Sequence, residues 1–381
     1  MNMRVAHLGK YAFLRVGGVE RHVVELTTAL AARGIEVTVF SYDRSGCSRT
    51  HVVNGVRVEP VPAWLTVGSQ SLAPSLIARM RRVSGALPYD VVHQHWPDPF
   101  AHVIASVASG SAVQVVTWHA DIVRQGILGS LYRAVARRSL VRPDAIVGAT
   151  RAHLGSKQLD YFAAPPRRHV IPFGIDVRPF AKSDKILRGV EVLRERHRRQ
   201  PIVFSLGRHV YYKGFEVLIR AMSRIPAVLL LGGEGPLTPK LREIAATSGG
   251  NVEFVGRISE QELPIYYHAA DVVCVPSVAQ TEAFGLVQAE AMACAKPVVN
   301  TMLGNGVNEL APHEVCALTV PPGDESQLAD ALSRILSDRV LAERLGVAGR
   351  KRVLASYTVD AMVNRTLELY EMLLTRRRGS G

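Results

Sequence analysis

Gln280-Thr-Glu-Ala-Phe-Gly-Leu-Val-Gln-Ala-Glu290, continued by Ala-Met-Ala-Cys-Ala-Lys-Pro-Val-Val-Asn300, carries two carboxylates, Glu282 and Glu290, with seven residues between them. Leu286, Ala289 and Met292 recur at helical spacing among strong helix formers, which predicts a helix from near Gly285 to about Ala295. Glu282 then falls in the loop before the helix and Glu290 in its second turn. The unpaired N–H groups and dipole of a helix start favour an anion such as a phosphate. Carboxylates beside such a site suit the hydroxyls of a polyhydroxylated ligand, and together the features point to a nucleotide sugar. The plainer reading of the same residues is a surface helix with two solvated glutamates.

Outward from this stretch, short apolar runs alternate with helical patterns. Strands are expected at Ile202–Gly207, Ala227–Leu231, Val252–Val255, Asp271–Pro276, Pro297–Asn300 and Cys316–Val320. Such alternation implies a parallel sheet covered on both faces, with ligands at the carboxyl ends of its strands. Those ends are rich in glycine: Gly207-Arg208, Lys213-Gly214, Gly232-Gly-Glu-Gly-Pro236, Gly256-Arg257 and Gly304-Asn-Gly306. A guanidinium fork at Arg208 and a point cation at Lys213 suit the two phosphates of a diphosphate, and otherwise they are exposed loop cations.

The first half repeats the pattern. Arg4–Gly9 and Ile35–Phe40 read as strands around a helix with Val19, Val23, Leu26 and Leu30 on one face and Gly34 as its stop. Gly17 and Gly18 precede that helix, either as turn residues or to let the backbone approach a phosphate. The glycine pattern is not Gly-x-Gly-x-x-Gly, so a dehydrogenase lacks its fingerprint. Further strands are expected at Val56–Val58, Asp90–His93, Val113–Trp118, Asp144–Gly148 and Arg168–Ile171, and a helical stretch at Leu128–Leu140. Polar clusters, His93-Gln-His95-Trp96 and His119-Ala-Asp121, follow two of these strands. The chain is expected to divide into domains 1–177 and 178–358. A last helix, with an Arg376–Arg378 tail that is a candidate for disorder, would let 359–381 pack back on the first domain.

At 381 residues, 48% hydrophobic and 21% charged, the composition is that of a soluble globular protein with two or three cores. No apolar run approaches the roughly 18 to 20 residues of a membrane span, and the N-terminus reads as a strand rather than a signal peptide, so a cytoplasmic protein is expected. Four scattered cysteines, Cys47, Cys274, Cys294 and Cys316, form no pair at metal-ligand spacing and are expected reduced. The net charge of +13 is uneven: residues 1–180 hold 21 Lys and Arg against 11 Asp and Glu, and the rest 25 against 22. Basic clusters at Arg79, Arg81, Arg82 and at Arg133, Arg137, Arg138, Arg142 are candidates for contact with an anionic lipid surface or a phosphorylated acceptor, or are a solvated basic face. They lack the interleaved aromatics of a single-strand platform, so no nucleic acid is expected.

The ordered series Gly-Arg, Lys-Gly, Gly-Gly-Glu-Gly-Pro, Pro-Ser and Glu282-x-Phe284-Gly-x4-Glu290 resembles the family-4 retaining glycosyltransferases, over nearly the whole chain. The resemblance implies the GT-B fold, an α/β architecture of two Rossmann-like doubly wound parallel-sheet domains facing across a cleft. It implies a metal-independent hexosyltransferase with no cofactor, acting on a nucleotide diphosphate sugar. Arg208 and Lys213 would hold the diphosphate, Glu282 the sugar hydroxyls, and Ala283, Phe284, Gly285 and Leu286 the sugar and phosphate. Glu290 would hold the ribose, and Gly256, Arg257 and Ile258 would line the base. Gly17 and Gly18 would lie near the phosphate, and His119 near the reacting carbon. Catalytic importance thus falls on His119, Arg208, Lys213 and Glu282. Trp118-His-Ala-Asp-Ile-Val-Arg-Gln125 is similar to bacterial mannosyl- and rhamnosyltransferases, which leans the donor towards GDP-mannose. A glycan or lipid-linked acceptor is expected, at the inner face of the plasma membrane. The alternatives are a UDP-sugar enzyme acting on a small molecule and a non-catalytic nucleotide-binding protein. Ala295 and Ala317 stand where the family often has glycine, and a positive φ at either would carry strain.

Overall fold

Valine- and leucine-rich runs of four to eight residues form the inner strands of two largely parallel sheets, where they are buried on both faces and hydrogen-bond to strands on each side. The computed structural model describes residues 3–8, 13, 18–43, 49–67, 70–84, 88–98, 101, 110–119, 143–155, 159 and 168–379. Expectations for Gly17, Cys47, Asp121, Leu128–Leu140 and the basic cluster from Arg133 to Arg142 lie outside the described residues. Two compact units are present, Met1–Gly174 with Val359–Gly381, and Ile175–Thr358.

The first unit contains β1 (Arg4–Leu8), β2 (Glu36–Asp43), β3 (His51–Val53), β4 (Val56–Pro62), β5 (Leu65–Val67), β6 (Gln70–Leu72), β7 (Val91–Trp96), β8 (Val113–Trp118), β9 (Ala145–Gly148) and β10 (Arg168–Val170). Eight of them form a sheet in the order β10-β9-β8-β7-β1-β2-β4-β3, parallel except for the β3–β4 pair, while β5 and β6 make a separate antiparallel ribbon. The Gly18–Ala32 helix lays Val23, Leu26 and Leu30 on this sheet against Val5, Val37 and Val39. Burying each such side chain contributes about 2 kcal/mol. The last helix, Val359–Arg378, adds Met362, Val363, Leu369, Tyr370 and Leu373 to the same core. The Arg376–Arg378 tail, a candidate for disorder by sequence, instead continues that helix. Arg377 donates to the Ala112 carbonyl at 2.7 Å and stands 3.6 Å from Asp144, and three cations in a last turn complement the helix dipole.

The second unit contains β11 (Ile202–Leu206), β12 (Val228–Gly232), β13 (Asn251–Gly256), β14 (Val272–Val275), β15 (Val298–Thr301) and β16 (Ala317–Val320). All are parallel, in the order β13-β12-β11-β14-β15-β16. The sheet runs outward in both directions from β11 and β14, the doubly wound pattern whose switch point lies between those two strands. The expected helix at Gly285 spans Leu286–Ala293, with Gly285 at φ 74° as its N-cap. At its other end Ala295 has φ 56°, in the left-handed region where an L side chain costs about 1 kcal/mol relative to glycine, whereas Ala317 lies in extended β16.

The first sheet also buries imidazoles. His7 on β1, His93 and His95 on β7, His22 on the Gly18–Ala32 helix and His119 just past β8 are each at most 6% exposed. Burial, with the His22 ring nearby for His7, holds His7 and His22 down at about 3, and burial with the neighbouring imidazoles holds His93 and His95 well below the ordinary range. These groups are neutral when folded and protonate near pH 6.5 when unfolded, so below that pH the unfolded chain binds more protons. Stability is therefore fully present above about pH 6.5 and falls as the pH drops, by about 1.4 kcal/mol per pH unit for each such histidine. Denaturant titrations at pH 7.5 and 5.0 should show a clear drop in the midpoint at the lower pH. An equal midpoint at both would mean that the imidazoles are not held neutral by the fold.

Candidate functional site

The carboxyl ends of β11, β12 and β14 are welded into one layer by their loops. His209 N–H donates to the Glu234 carbonyl at 3.1 Å, Val278 N–H to the Tyr212 carbonyl at 2.8 Å, and Gly207 N–H to the Gly232 carbonyl at 3.2 Å. Such backbone contact needs residues without side chains. A Cβ on Gly214, which has φ 68°, would sit 2.0 Å from the Pro276 carbonyl oxygen, and one on Gly233, at φ 100°, 2.0 Å from that of Gly207. The glycines of the sequence motifs are thus sites of close approach.

This layer brings two of the expected residues together. Lys213, from the loop after β11, places Nζ 2.5 Å from Glu282 Oε2, in the loop after β14. Both side chains are largely buried, and Ser277 Oγ lies 3.5 Å from the same carboxylate oxygen. Asn305 fixes the Glu282 main chain by donating to its carbonyl at 2.8 Å. Glu282 therefore has a fixed position with one oxygen held by Lys213, and a carboxylate offers further acceptor sites to hydroxyl donors.

The segment Ala283-Phe-Gly-Leu286 is positioned by a buried amide network. Gln288 Nε2 donates to the carbonyls of Phe284 and Val307 at 3.3 and 2.7 Å, and its Oε1 accepts from Asn300 Nδ2 at 3.2 Å. Asn300 in turn donates to the Ala311 carbonyl and accepts from Thr319 Oγ1. Every hydrogen-bonding atom of both amides is used, which fixes the Gly285 turn and the helix start behind it. Gly285 supplies no side-chain cap, so the first N–H groups of the helix stay available to an anion. Glu290, four residues into the helix, is buried, with Oε2 accepting from the Tyr267 hydroxyl at 2.7 Å.

Arg208, exposed, makes no ion pair among the described residues. It lines a hollow of about 620 Å³ with Gly233, Glu234, Arg242, Gly256 and Arg257. Arg257 pairs with Glu234 at 3.1 Å, and Ile258 packs against the end of β12. The expected residues of the second unit thus fall into two groups: Arg208, Gly256 and Arg257 line the hollow, while Lys213, Glu282 and the Gly285 turn gather at the switch point. Ser277 and Asn305 lie in the Pro-Ser and Gly304-Asn-Gly306 motifs of the sequence, and Gln288 and Asn300 in its opening stretch, but none has an individual role there; Tyr267 lies in no motif, and Gln288 alone carries a further signal, as a polar residue on the apolar side of a helix.

In the first unit, Gly18 is the exposed first residue of its helix. His119 is buried beside Phe173, with ring centroids 5.2 Å apart, and its Nε2 lies 3.0 Å from His95 Nδ1. His95 Nε2 lies 3.1 Å from His7 Nδ1. The sequence offers no histidine set at ligand spacing, yet the fold gathers His22, His95 and His119 from three elements, with ring nitrogens within 4.8 Å of one another. No helix among the described residues is long and apolar enough to cross a membrane.

Comparison with known proteins agrees with this architecture. Residues 192–352 match the model for glycosyl transferases group 1, and residues 16–178 that for glycosyltransferase family 4. The chain is 28% identical to the O-antigen chain mannosyltransferase C of Escherichia coli, over 98% of this chain and 99% of that one. It is 29% identical to the phosphatidyl-myo-inositol mannosyltransferase of Mycobacterium leprae, over 98% of both. The solved structure of Anabaena HepE in complex with UDP shares the fold, with a TM-score of 0.80 at 20% identity over 97% of this chain and 100% of that one. Two matched models spanning both units, and two parallel doubly wound sheets, establish that the chain belongs to the family-4 glycosyltransferases and is a hexosyltransferase of the GT-B fold.

Proposed function

We propose that the enzyme transfers mannose from GDP-mannose, with retention at the anomeric carbon and without a metal ion, to a glycan or lipid-linked acceptor. The observation that carries this reading is the Lys213–Glu282 pair at the switch point of the second sheet. It sets a cation for phosphate beside a carboxylate for sugar hydroxyls, with the open helix start at Gly285 in the same loop layer. The mannosyl lean and the acceptor class are supported by the names of the relatives, one acting in an O-antigen chain and one on phosphatidyl-myo-inositol.

In this reading Glu282 accepts hydrogen bonds from the transferred sugar, Lys213 and Arg208 hold the diphosphate, and Glu290 receives the ribose. Arg257 and Ile258 lie towards the base, and His119 meets a hydroxyl of the donor sugar. The bond between the anomeric carbon and the diphosphate oxygen breaks, its electron pair leaving with the diphosphate. An acceptor hydroxyl attacks from the same face, and its proton passes to the departing phosphate oxygen. Fixed cations and amide dipoles aimed at the growing negative charge lower the barrier because they need no reorganisation at the moment of bond breaking.

Wild-type enzyme should release GDP slowly from GDP-mannose in the absence of acceptor. Glu282→Ala and Lys213→Ala should each lower kcat/KM about 10²- to 10³-fold, the size expected when one group aimed at the transition state is lost. Unchanged kinetics in both variants, or donor binding with no turnover by the wild type, would contradict the reading.

The reading extends to the membrane surface. The excess of basic residues in positions 1–180 and the exposed Arg81 and Arg82 of the Ser75–Ser84 helix suit an anionic lipid face that presents the acceptor. Co-sedimentation with phosphatidylglycerol vesicles should be strong at low salt and largely lost by 0.5 M salt, on the order of a Debye length of a few ångströms. Indifference to both lipid and salt would place the acceptor in solution instead.

A further inference from the structure

The buried imidazoles of the first unit form a directed chain. His95 Nδ1 and His119 Nε2 are 3.0 Å apart while their ring centroids are 5.3 Å apart. His7 Nδ1 and His95 Nε2 are 3.1 Å apart with centroids at 5.4 Å. In both pairs the excess is two ring radii, so the rings meet edge to edge with their nitrogens facing. Each contact therefore needs one N–H and one lone pair. His7 and His95 are neutral by burial, and a neutral imidazole carries a single proton.

Only two arrangements satisfy both contacts. In one, protons point away from His119: its Nε2–H donates to His95, and His95 Nε2–H donates to His7 Nδ1. His7 must then carry its proton on Nε2, which is buried and has no partner. In the other, His7 Nδ1–H donates to His95 Nε2 and His95 Nδ1–H donates to His119 Nε2, so the unpartnered His7 Nε2 is a bare lone pair. A buried donor without an acceptor is the rarer and costlier defect, so the second arrangement is favoured. The proton of His119 then sits on Nδ1.

We propose that His95, anchored by His7, is a positioning residue that locks His119 as the Nδ1–H tautomer and so fixes which of its nitrogens can donate. His119 Nε2, occupied by His95, is then an acceptor that no ligand reaches, and Nδ1–H is the donor side of the ring. The catalytic consequence rests on the proposed sugar-transfer reading, in which His119 meets the donor sugar. Its role there is to donate a hydrogen bond to a sugar oxygen, and it does not serve as a base through Nε2. His93 stands outside the chain, with Nδ1 taken by the Tyr370 hydroxyl at 2.5 Å and Nε2 by Thr117 Oγ1 at 2.7 Å.

The test reads the tautomer directly. Long-range proton–nitrogen correlation spectra of the ¹⁵N-labelled full chain should show His119 protonated on Nδ1 and bare on Nε2 at neutral pH. In His95→Leu the ring should lose this bias, and kcat for transfer should fall about tenfold with the KM for donor sugar little changed. In His95→Asn, whose amide N–H replaces the Nδ1 donor, both the tautomer and most of kcat should return. A wild-type His119 protonated on Nε2 overturns the inference. So does an unchanged kcat in His95→Leu, or an Asn variant as impaired as the Leu variant, which would mark a packing role only. The spectrum needs no substrate and no variant, so it decides the tautomer even if His95→Leu does not fold. Absence of transfer from every donor would instead overturn the sugar-transfer reading.

Discussion

A lysine ammonium and a glutamate carboxylate, both largely withdrawn from water and 2.5 Å apart, join two strand-end loops at the switch point of the second sheet. Such a pair adds little to stability, because the cost of removing two charges from solvent roughly cancels their attraction. Its value lies in placement. Lys213 and Glu282 come from loops separated by nearly seventy positions, and they meet because β11 and β14 are neighbours at the point where the strand order turns. The glycines around them serve that meeting: Gly214 lies so close to the Pro276 carbonyl that no side chain fits there. The Gln288–Asn300 network then sets the helix start beside the pair, so a cation, a carboxylate and open amides share one layer.

The first unit solves its positioning problem with neutral groups. Among its described residues five imidazoles are buried on or beside the inner strands, and among them His7, His95 and His119 meet nitrogen to nitrogen. Neutral rings in low-dielectric surroundings can hold a proton on a chosen atom without carrying a net charge into the core. Tyr370, from the last helix of the chain, reaches the same row through His93. That contact, with the apolar side chains of Met362, Val363 and Leu369, ties the C-terminal helix into the sheet that carries His119.

Much of this was legible in the sequence because its signals are local. Strand and helix alternation, the glycine-rich strand ends, and the Glu282-x-Phe-Gly stretch gave the parallel sheets and the position of the helix after Gly285. The parts that were not legible depend on long-range packing. Tyr267 reaches Glu290 from another helix, and nothing in Tyr266-Tyr267-His268 announces it. His7 and His22 look like isolated residues until β1, β7 and the first helix are side by side. The Arg376–Arg378 tail, charged and terminal, reads as a free end, but the Ala112 carbonyl and Asp144 lie within reach of Arg377 and the helix continues through it.

The account turns on the Lys213–Glu282 pair being a binding site for a nucleotide diphosphate sugar, and ligand-induced stabilisation measures this directly. A thermal-shift panel of UDP-, GDP-, ADP- and dTDP-sugars should give a concentration-dependent rise in midpoint with the GDP-sugar, since a ligand that binds only the folded state stabilises it. The rise should vanish in Lys213→Ala. No shift with any member of the panel, or a shift that Lys213→Ala leaves intact, would contradict the account.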